Sequence, residues 1–444
     1  CQVYAATMVA SSLSVRERSV PRWLYTAILR LVFPLIWLRL WLRGRKSSAY
    51  RLRWRERMGF ADKPAPVSRP LWLHAVSVGE TLAAQPLIAA IRAVYPDLPL
   101  LVTTMTPTGS ERVSAIWGDA VSHVYAPYDY PGAVARFLRY WQPRALVVME
   151  TELWPNTLVT AHRLRIPVML ANARLSERSA RGYAKTGALA REMVQNLSVV
   201  AAQDQATASR FWALGVPSAR VVVTGSLKFD ITISAGQTAL AQTWREQHAL
   251  QDRLIWVAAS THPGEDELML AAHALLRQRL PDALLILVPR HPERFQAVAE
   301  LIGATDLRYV RRSEQMPVLA ETAVWLGDSM GELMSWLTLA QAAFVGGSLV
   351  PRGGHNVLEP LALGVPALTG PHDFNFASIN AELMTAGALQ TVRDAAELAD
   401  ALYVLMTDAA LAQARRKSGL RVIAANQGAV ARQLALLTPL LPSA

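Results

Sequence analysis

Two segments of this chain, residues 71–80 (LWLHAVSVGE) and 254–265 (LIWVAASTHPGE), share one plan: an apolar strand, a turn containing Ser, a Gly, and an acid that opens a helix. Around each copy, short β-branched apolar runs alternate with helical stretches, which is the pattern of parallel βαβ units and not of a sandwich or a bundle. Strands are expected at 71–76, 100–104, 145–149, 168–171, 199–202 and 221–224, and again at 255–259, 284–288, 323–326, 343–345 and 366–368. A chain of 444 residues with 52% hydrophobic residues can fill two cores. The polar break at 229–237 separates the copies. The expected division is therefore a first Rossmann-like domain over 47–230 and a second over 231–444. In such sheets ligands bind beyond the carboxyl ends of the strands, so a site in a cleft between the two domains is expected.

The charge lies almost wholly at one end. Residues 1–57 carry twelve Lys or Arg against two Glu, out of a net +11 for the whole chain, so the body is nearly neutral. A nucleic-acid groove spread over the fold is thereby disfavoured, and anionic lipid headgroups become the partner to consider. Residues 23–42, WLYTAILRLVFPLIWLRLWL, have the length to cross a bilayer. Arg30 and Arg39 interrupt them on nearly opposite sides of a helix, which does not make a clean amphipathic surface helix. A membrane-anchor helix with its basic flank over 21–46 is expected, and residues 1–20 read as lead-in. If the helix spans, the flanking arginines put the body in the cytoplasm. Cys1 is the single cysteine of this sequence, so an intramolecular disulfide and a cysteine-built metal site are excluded.

The stretch 344–370 (FVGGSLVPRGGHNVLEPLALGVPALTG) runs a strand into two Gly-Gly pairs and then a helix starting near Asn356. Glycines let a backbone approach a phosphate, and the N–H groups of the next helix favour an anion. Asn356 can cap that helix, and Glu359 can accept hydrogen bonds from a sugar or base. A glycine-rich turn with an ordinary cap is the plainer reading. Pro289-Arg290-His291-Pro292 and Ser329-Met330-Gly331-Glu332 each follow another expected strand of this half, and three such loops on one sheet edge describe a nucleotide pocket. In the first half Glu80 closes the Ser77-Val78-Gly79 turn, where it can act as a general base or simply favour the helix dipole. Glu150 and Glu152 sit with Trp154 at another strand end; Lys228, beside the break, can reach a leaving phosphate or sit in solvent. There is no HExxH and no Asp-x-Asp pair, so neither a metal nor a cofactor is implied.

The basic anchor, HAVSVGE, METELWPN, GSLKFD, PRHPERF, MGEL and GGHNVLEPLALGVP, in that order from about residue 21 onward, resemble the 3-deoxy-D-manno-octulosonic acid (Kdo) transferases of lipopolysaccharide synthesis. The resemblance implies a GT-B glycosyltransferase fold, with CMP-Kdo as donor and a lipid A precursor, lipid IVA, as acceptor. It implies action at the cytoplasmic face of the bacterial inner membrane, among inner-membrane lipids and with no nucleic acid. Carried onto this sequence, the family's base falls on Glu80, and its transition-state acid and lysine on Glu150 and Lys228. Its CMP contacts fall on Pro289 and Arg290, on Met330, Gly331 and Glu332, and on Asn356, Val357, Leu358 and Glu359. The implied chemistry is an inverting, metal-independent displacement.

Overall fold

The computed structural model describes residues 20–441 apart from 46, 63, 65 and 66, so the lead-in up to residue 19 and Lys46 of the basic flank lie outside the described residues. The described residues form two compact units, one up to Leu227 that resumes at Gly428, and one of Lys228–Gln427. The first unit holds a seven-stranded parallel sheet in the order β3-β2-β1-β4-β5-β6-β7. Its strands are β1 (Leu71–His74), β2 (Leu100–Thr104), β3 (Ser122–Tyr125), β4 (Ala145–Met149), β5 (Val168–Ala173), β6 (Val199–Ala202) and β7 (Val221–Val223). Alternate residues feed two cores: Trp72, Leu146 and Leu170 pack on one face, and Leu71, Leu73 and Val147 on the other. Burial on both faces is why these strands read as nearly continuous apolar runs.

The second unit repeats the plan, in the order β10-β11-β9-β8-β12-β13-β14. Its strands are β8 (Ile255–Thr261), β9 (Leu284–Pro289), β10 (Tyr309–Arg311), β11 (Val324–Leu326), β12 (Ala342–Val345), β13 (Ala367–Thr369) and β14 (Leu389–Thr391), all parallel. Trp256, Leu285 and Phe344 fill one side, and Ile255, Ile286 and Ala343 the other. In each sheet the strand order reverses beside the first strand, between β1 and β4 and between β8 and β12. Loops leaving the carboxyl ends at such a reversal diverge and leave a crevice.

Two features depart from the expected boundaries. From Gly428 to the last described residue, Leu441, the chain returns to the first unit instead of ending the second. There the Gln433 side chain accepts the Asn172 N–H (3.0 Å) and donates to Thr224 Oγ1 (3.1 Å), while Ala429 and Leu437 enter the core. At the other end, helix Arg22–Arg43 is docked on the first unit along one side only. Thr26 Oγ1 and Asn156 exchange hydrogen bonds, Tyr25 donates to Asp129 (3.0 Å), and Phe33 meets Tyr130 edge-on at 5.4 Å. Trp23, Ile28, Leu31, Leu35 and Leu38 remain exposed, Leu31 at 78%. Both interrupting arginines, Arg30 and Arg39, are also exposed. The helix is long and apolar enough to cross a membrane and is compatible with membrane association.

Candidate active site

Glu80 occupies the third position of helix Val78–Val94, whose N-cap is Ser77. The Ser77 hydroxyl accepts the Glu80 N–H (3.3 Å) and donates to Glu80 Oε1 (3.0 Å); the Val76 N–H donates to Oε2 (2.8 Å). The N-cap serine and the N–H of the residue before it thus fold the carboxyl back over the end of β1. Glu80 is 9% exposed. Burial pushes its carboxyl up to about 8, the negative fields of Glu152 and Glu150 add to the rise, and the Val76 and Ser77 donors oppose it.

Glu150 immediately follows β4, across the reversal from Glu80. It adopts φ +54°, uncommon for a residue with a side chain, while its N–H stays in the sheet by donating to Ala171 O (2.9 Å). Glu152, two residues on, accepts from the Trp154 indole (3.1 Å), and burial, reinforced by Glu150, raises its carboxyl too. Three acids therefore meet at this crevice, and the family pattern had given a role to only two of them. The rest of the METELWPN motif is scaffold. Asp129 accepts the N–H groups of Asn156 (2.9 Å) and Thr157 (2.7 Å) at the start of helix Pro155–Arg163, and Asn156 is fully buried.

In the second unit the expected nucleotide loops do leave carboxyl ends of neighbouring strands, but the first Gly-Gly pair serves another purpose than a phosphate cradle. Gly347 has φ +70°, and the N–H groups of Gly347, Ser348 and Leu349 converge on the carboxylate of Glu265 at 2.7, 3.0 and 2.9 Å. The His262 N–H adds a fourth bond at 3.0 Å, and Glu265 is wholly buried. Such a concave run of N–H groups binds anions, and here the anion is built in. A Cβ at Gly346 would lie 2.6 Å from Ser260 O, so glycine is needed there for close approach of β8 and β12.

The other expected contacts differ in what they can offer. Pro289 ends β9, and the Arg290 N–H donates to Thr261 O (3.0 Å). Asn356 Oδ1 accepts the Leu358 N–H (3.2 Å) just ahead of a short helix, Leu358–Ala362, whose N-cap is Val357. Val357 and Leu358 are fully buried, which leaves their side chains no ligand to touch and only the backbone to present. Glu359 accepts from Asn356 Nδ2 (3.4 Å); burial raises its carboxyl, while Asn356 and the field of Arg290 pull it down. After β11, Met330 is 55% exposed, and Gly331 has φ +84° with 4 Å of open space on the side where a Cβ would stand. Glu332 is gripped by both arms of Arg312 (3.1 and 3.2 Å) and by the Ser329 hydroxyl. Lys228 is the first residue of this unit: its Nζ lies 3.5 Å from Asn375 O and 4.3 Å from the Phe376 ring centre, and the Asn375 N–H donates to Gly353 O (3.0 Å). Lys228 thus stands beside the second Gly-Gly loop. Among the described residues no group of three or more His, Cys, Asp or Glu is set to hold a metal ion.

Comparison with known proteins decides what this arrangement belongs to. A 3-deoxy-D-manno-octulosonic acid transferase of Haemophilus influenzae is 43% identical over 95% of this chain and 99% of its own. The chain belongs to the 3-deoxy-D-manno-octulosonic acid transferase family. The enzyme of the same name from Bordetella pertussis is 37% identical over 93% of this chain and 98% of its own. The family's N-terminal profile, described as 3-Deoxy-D-manno-octulosonic-acid transferase (kdotransferase), matches residues 52–231. Among solved structures, the C-terminal CMP-Kdo binding domain of WaaA from Acinetobacter baumannii is 36% identical over 43% of this chain and 99% of that one, with a TM-score of 0.42. The UDP-GlcNAc 2-epimerase of Neisseria meningitidis matches 83% of this chain and 100% of its own at 13% identity, with a TM-score of 0.56 that speaks to the fold alone. The protein is accordingly a Kdo transferase, a glycosyltransferase of the GT-B architecture with an apolar N-terminal helix.

Proposed function

We propose that the enzyme transfers Kdo from CMP-Kdo to lipid IVA, the lipid A precursor, in lipopolysaccharide core synthesis, with inversion at the anomeric carbon and without a metal. We assign acceptor binding to the first unit and the CMP-sugar to the second. The observation that carries this reading is Glu80: a buried carboxyl at a strand end, held by two donors, with its affinity for a proton raised to about 8. A group so poised can take a proton near neutral pH. Glu80 removes the proton of the acceptor hydroxyl as its oxygen attacks the anomeric carbon, and the bond to the CMP phosphate breaks with the electron pair leaving on the phosphate. Glu150 faces the positive charge that develops on the sugar. Arg290, Lys228 and the backbone N–H groups at Asn356 and Val357 face the leaving phosphate. Pro289 shapes its loop; Met330, Gly331 and Glu332, with Leu358 and Glu359, complete the nucleotide contacts. The exposed apolar side of helix Arg22–Arg43 and the arginines after it seat the enzyme on the cytoplasmic face of the inner membrane.

Mass spectrometry of lipid IVA after incubation with enzyme and CMP-Kdo tests the reading, with whole Kdo mass increments expected. An unchanged acceptor would overturn it. CMP should raise the unfolding temperature more than UDP does, since only a ligand of the folded state stabilises it. Lys228→Ala should lower kcat about tenfold, in line with the loss of one charged contact to the leaving group; an unaltered kcat would remove Lys228 from the mechanism.

A further inference from the structure

Three imidazoles meet at the carboxyl edge of the second sheet. His262 follows β8, His291 follows β9 and His355 follows β12, three adjacent strands with the reversal between β8 and β12. Nε2 of His262 and Nε2 of His355 are 2.8 Å apart, with the rings 10° from parallel, and His291 meets His262 edge-on at 5.3 Å between ring centres. At that separation two ring nitrogens cannot both carry hydrogen, and two bare lone pairs would repel. One Nε2–H therefore donates to the other Nε2, and the pair is neutral with a single proton between the facing nitrogens.

The surroundings are cationic. Burial first, and then the fields of His291, Arg352, Arg294 and Arg290, hold His262 down to about 4; burial, Arg290, His262 and His291 hold His355 down to about 3. The acids packed nearby are already engaged: Asp266 by Thr261 and Arg294, Glu265 by its four backbone donors, and Glu359 by Asn356. No carboxylate hydrogen-bonds to the His262 or His355 ring among the described residues. The neighbouring nest, which would otherwise take a phosphate, is filled by Glu265. A positive field with its ordinary anion seat occupied leaves the imidazole pair as the group still able to receive one.

We propose that the His262–His355 pair, with His291 and Arg290 beside it, is the seat of the phosphate ester of the ligand, and that the pair takes up one proton from solvent when that anion binds. The incoming proton forms an N–H bond at the accepting Nε2. The N–H···N bond between the rings breaks, and two Nε2–H donors turn to the anionic oxygens. An added negative charge favours the protonated imidazole, which supplies the coupling.

This inference rests on the nucleotide-donor reading above, and the test separates the two. The probe is the 5′-methyl phosphate ester of cytidine, a phosphodiester with no ionisation near neutrality, and its control is cytidine. Calorimetric titration of the full chain at pH 5.5, in buffers of low and high ionisation enthalpy, gives protons exchanged per ligand bound. The ester should take up close to one proton and cytidine none. His262→Gln and His355→Gln should each abolish the uptake and raise the Kd of the ester about tenfold while leaving the Kd of cytidine unchanged; their thermal midpoints report whether they fold. Equal proton exchange for ester and cytidine in the natural protein overturns the proposal even if neither variant folds. So does undiminished uptake in both variants. Failure of the natural protein to bind either probe sinks the nucleotide-donor reading itself.

Discussion

At the end of the first strand of each sheet a glutamate turns back toward its own loop, and the two glutamates meet opposite fates. Glu80 has two donors, the Val76 N–H and the Ser77 hydroxyl, and the loop across the reversal from it brings further acids. Glu265 has four backbone N–H donors, three of them from the loop across the reversal. One scaffold thus makes a reactive carboxyl where donors are few and like charges near, and a structural anion where donors are many. The difference lies in the facing loop, which is METE in the first unit and VGGS in the second. Without side chains, the glycines let successive N–H groups point inward; with Glu150 at φ +54°, the same position presents a carboxylate.

Exchanging each carboxylate for an amide is the sharpest way to break this contrast. Glu80→Gln should reduce Kdo transfer by about 10²–10⁴-fold, the usual worth of a general base, while CMP still binds and the protein, compared at pH 4.5 where both side chains are uncharged in the fold, unfolds at nearly the same urea concentration. Near-normal turnover would remove Glu80 as the base. Glu265→Gln should do the reverse. Its NH₂ group would face N–H groups that have lost their acceptor, and each buried donor so orphaned costs about 1–3 kcal/mol. A loss of about 3 kcal/mol in urea unfolding is expected, and an unaltered midpoint would mean that the four hydrogen bonds are not what closes the loop.

Little of this contrast can be read from the chain alone. The segments around Glu80 and Glu265 look alike as text, and the number of donors each receives depends on a loop about 80 residues away for Glu265. For the same reason the first Gly-Gly pair reads as a phosphate cradle: sequence shows that N–H groups can converge, not what already occupies them. The fold was far more legible. Interior strands announce themselves because burial on both faces demands unbroken apolar runs, as in LLVTT, ALVVM and LLILVP. The three strands that the apolar pattern does not announce, β3 (SHVY), β10 (YVR) and β14 (LQT), are all sheet edges. The edge strands β10 and β14 are only partly covered and tolerate polar residues, whereas β3 is mostly buried but its Ser122 and His123 break the apolar run. The His262–His355 contact was equally hidden, since 93 residues separate the partners.

The pH dependence refines the comparison next. If Glu80 must be ionised to act, kcat/KM should rise with pH with its midpoint near pH 8, where the folded-state pKa lies, and level off about one pH unit above it. Stability runs the other way. A carboxyl raised from 4.5 to about 8 keeps a proton in the folded protein that the unfolded chain releases, so its stabilising contribution is full below 4.5 and is lost as pH climbs through about 8. Glu80→Gln should remove that part of the decline, measurable as a flatter plot of unfolding free energy against pH. Glu152→Gln takes away the stronger of the two acidic fields on Glu80 and should move the activity midpoint to lower pH. No movement would place Glu152 outside the electrostatics of the site.

The smallest expected effect comes from Ser77→Ala, and it addresses the donor count directly. The hydroxyl both caps helix Val78–Val94 and donates to Glu80 Oε1. Loss of the cap should cost about 1 kcal/mol of stability. Loss of the donor leaves the ionised carboxyl with the Val76 N–H alone, so the Glu80 pKa should rise and the pH midpoint of kcat/KM with it, opposite in sign to the shift from Glu152→Gln. The plateau rate at high pH should survive, because the base itself is intact. If Ser77→Ala lowered the plateau and left the midpoint in place, the hydroxyl would be orienting Glu80 and not setting its charge, and donor number would no longer explain why two glutamates at equivalent strand ends differ.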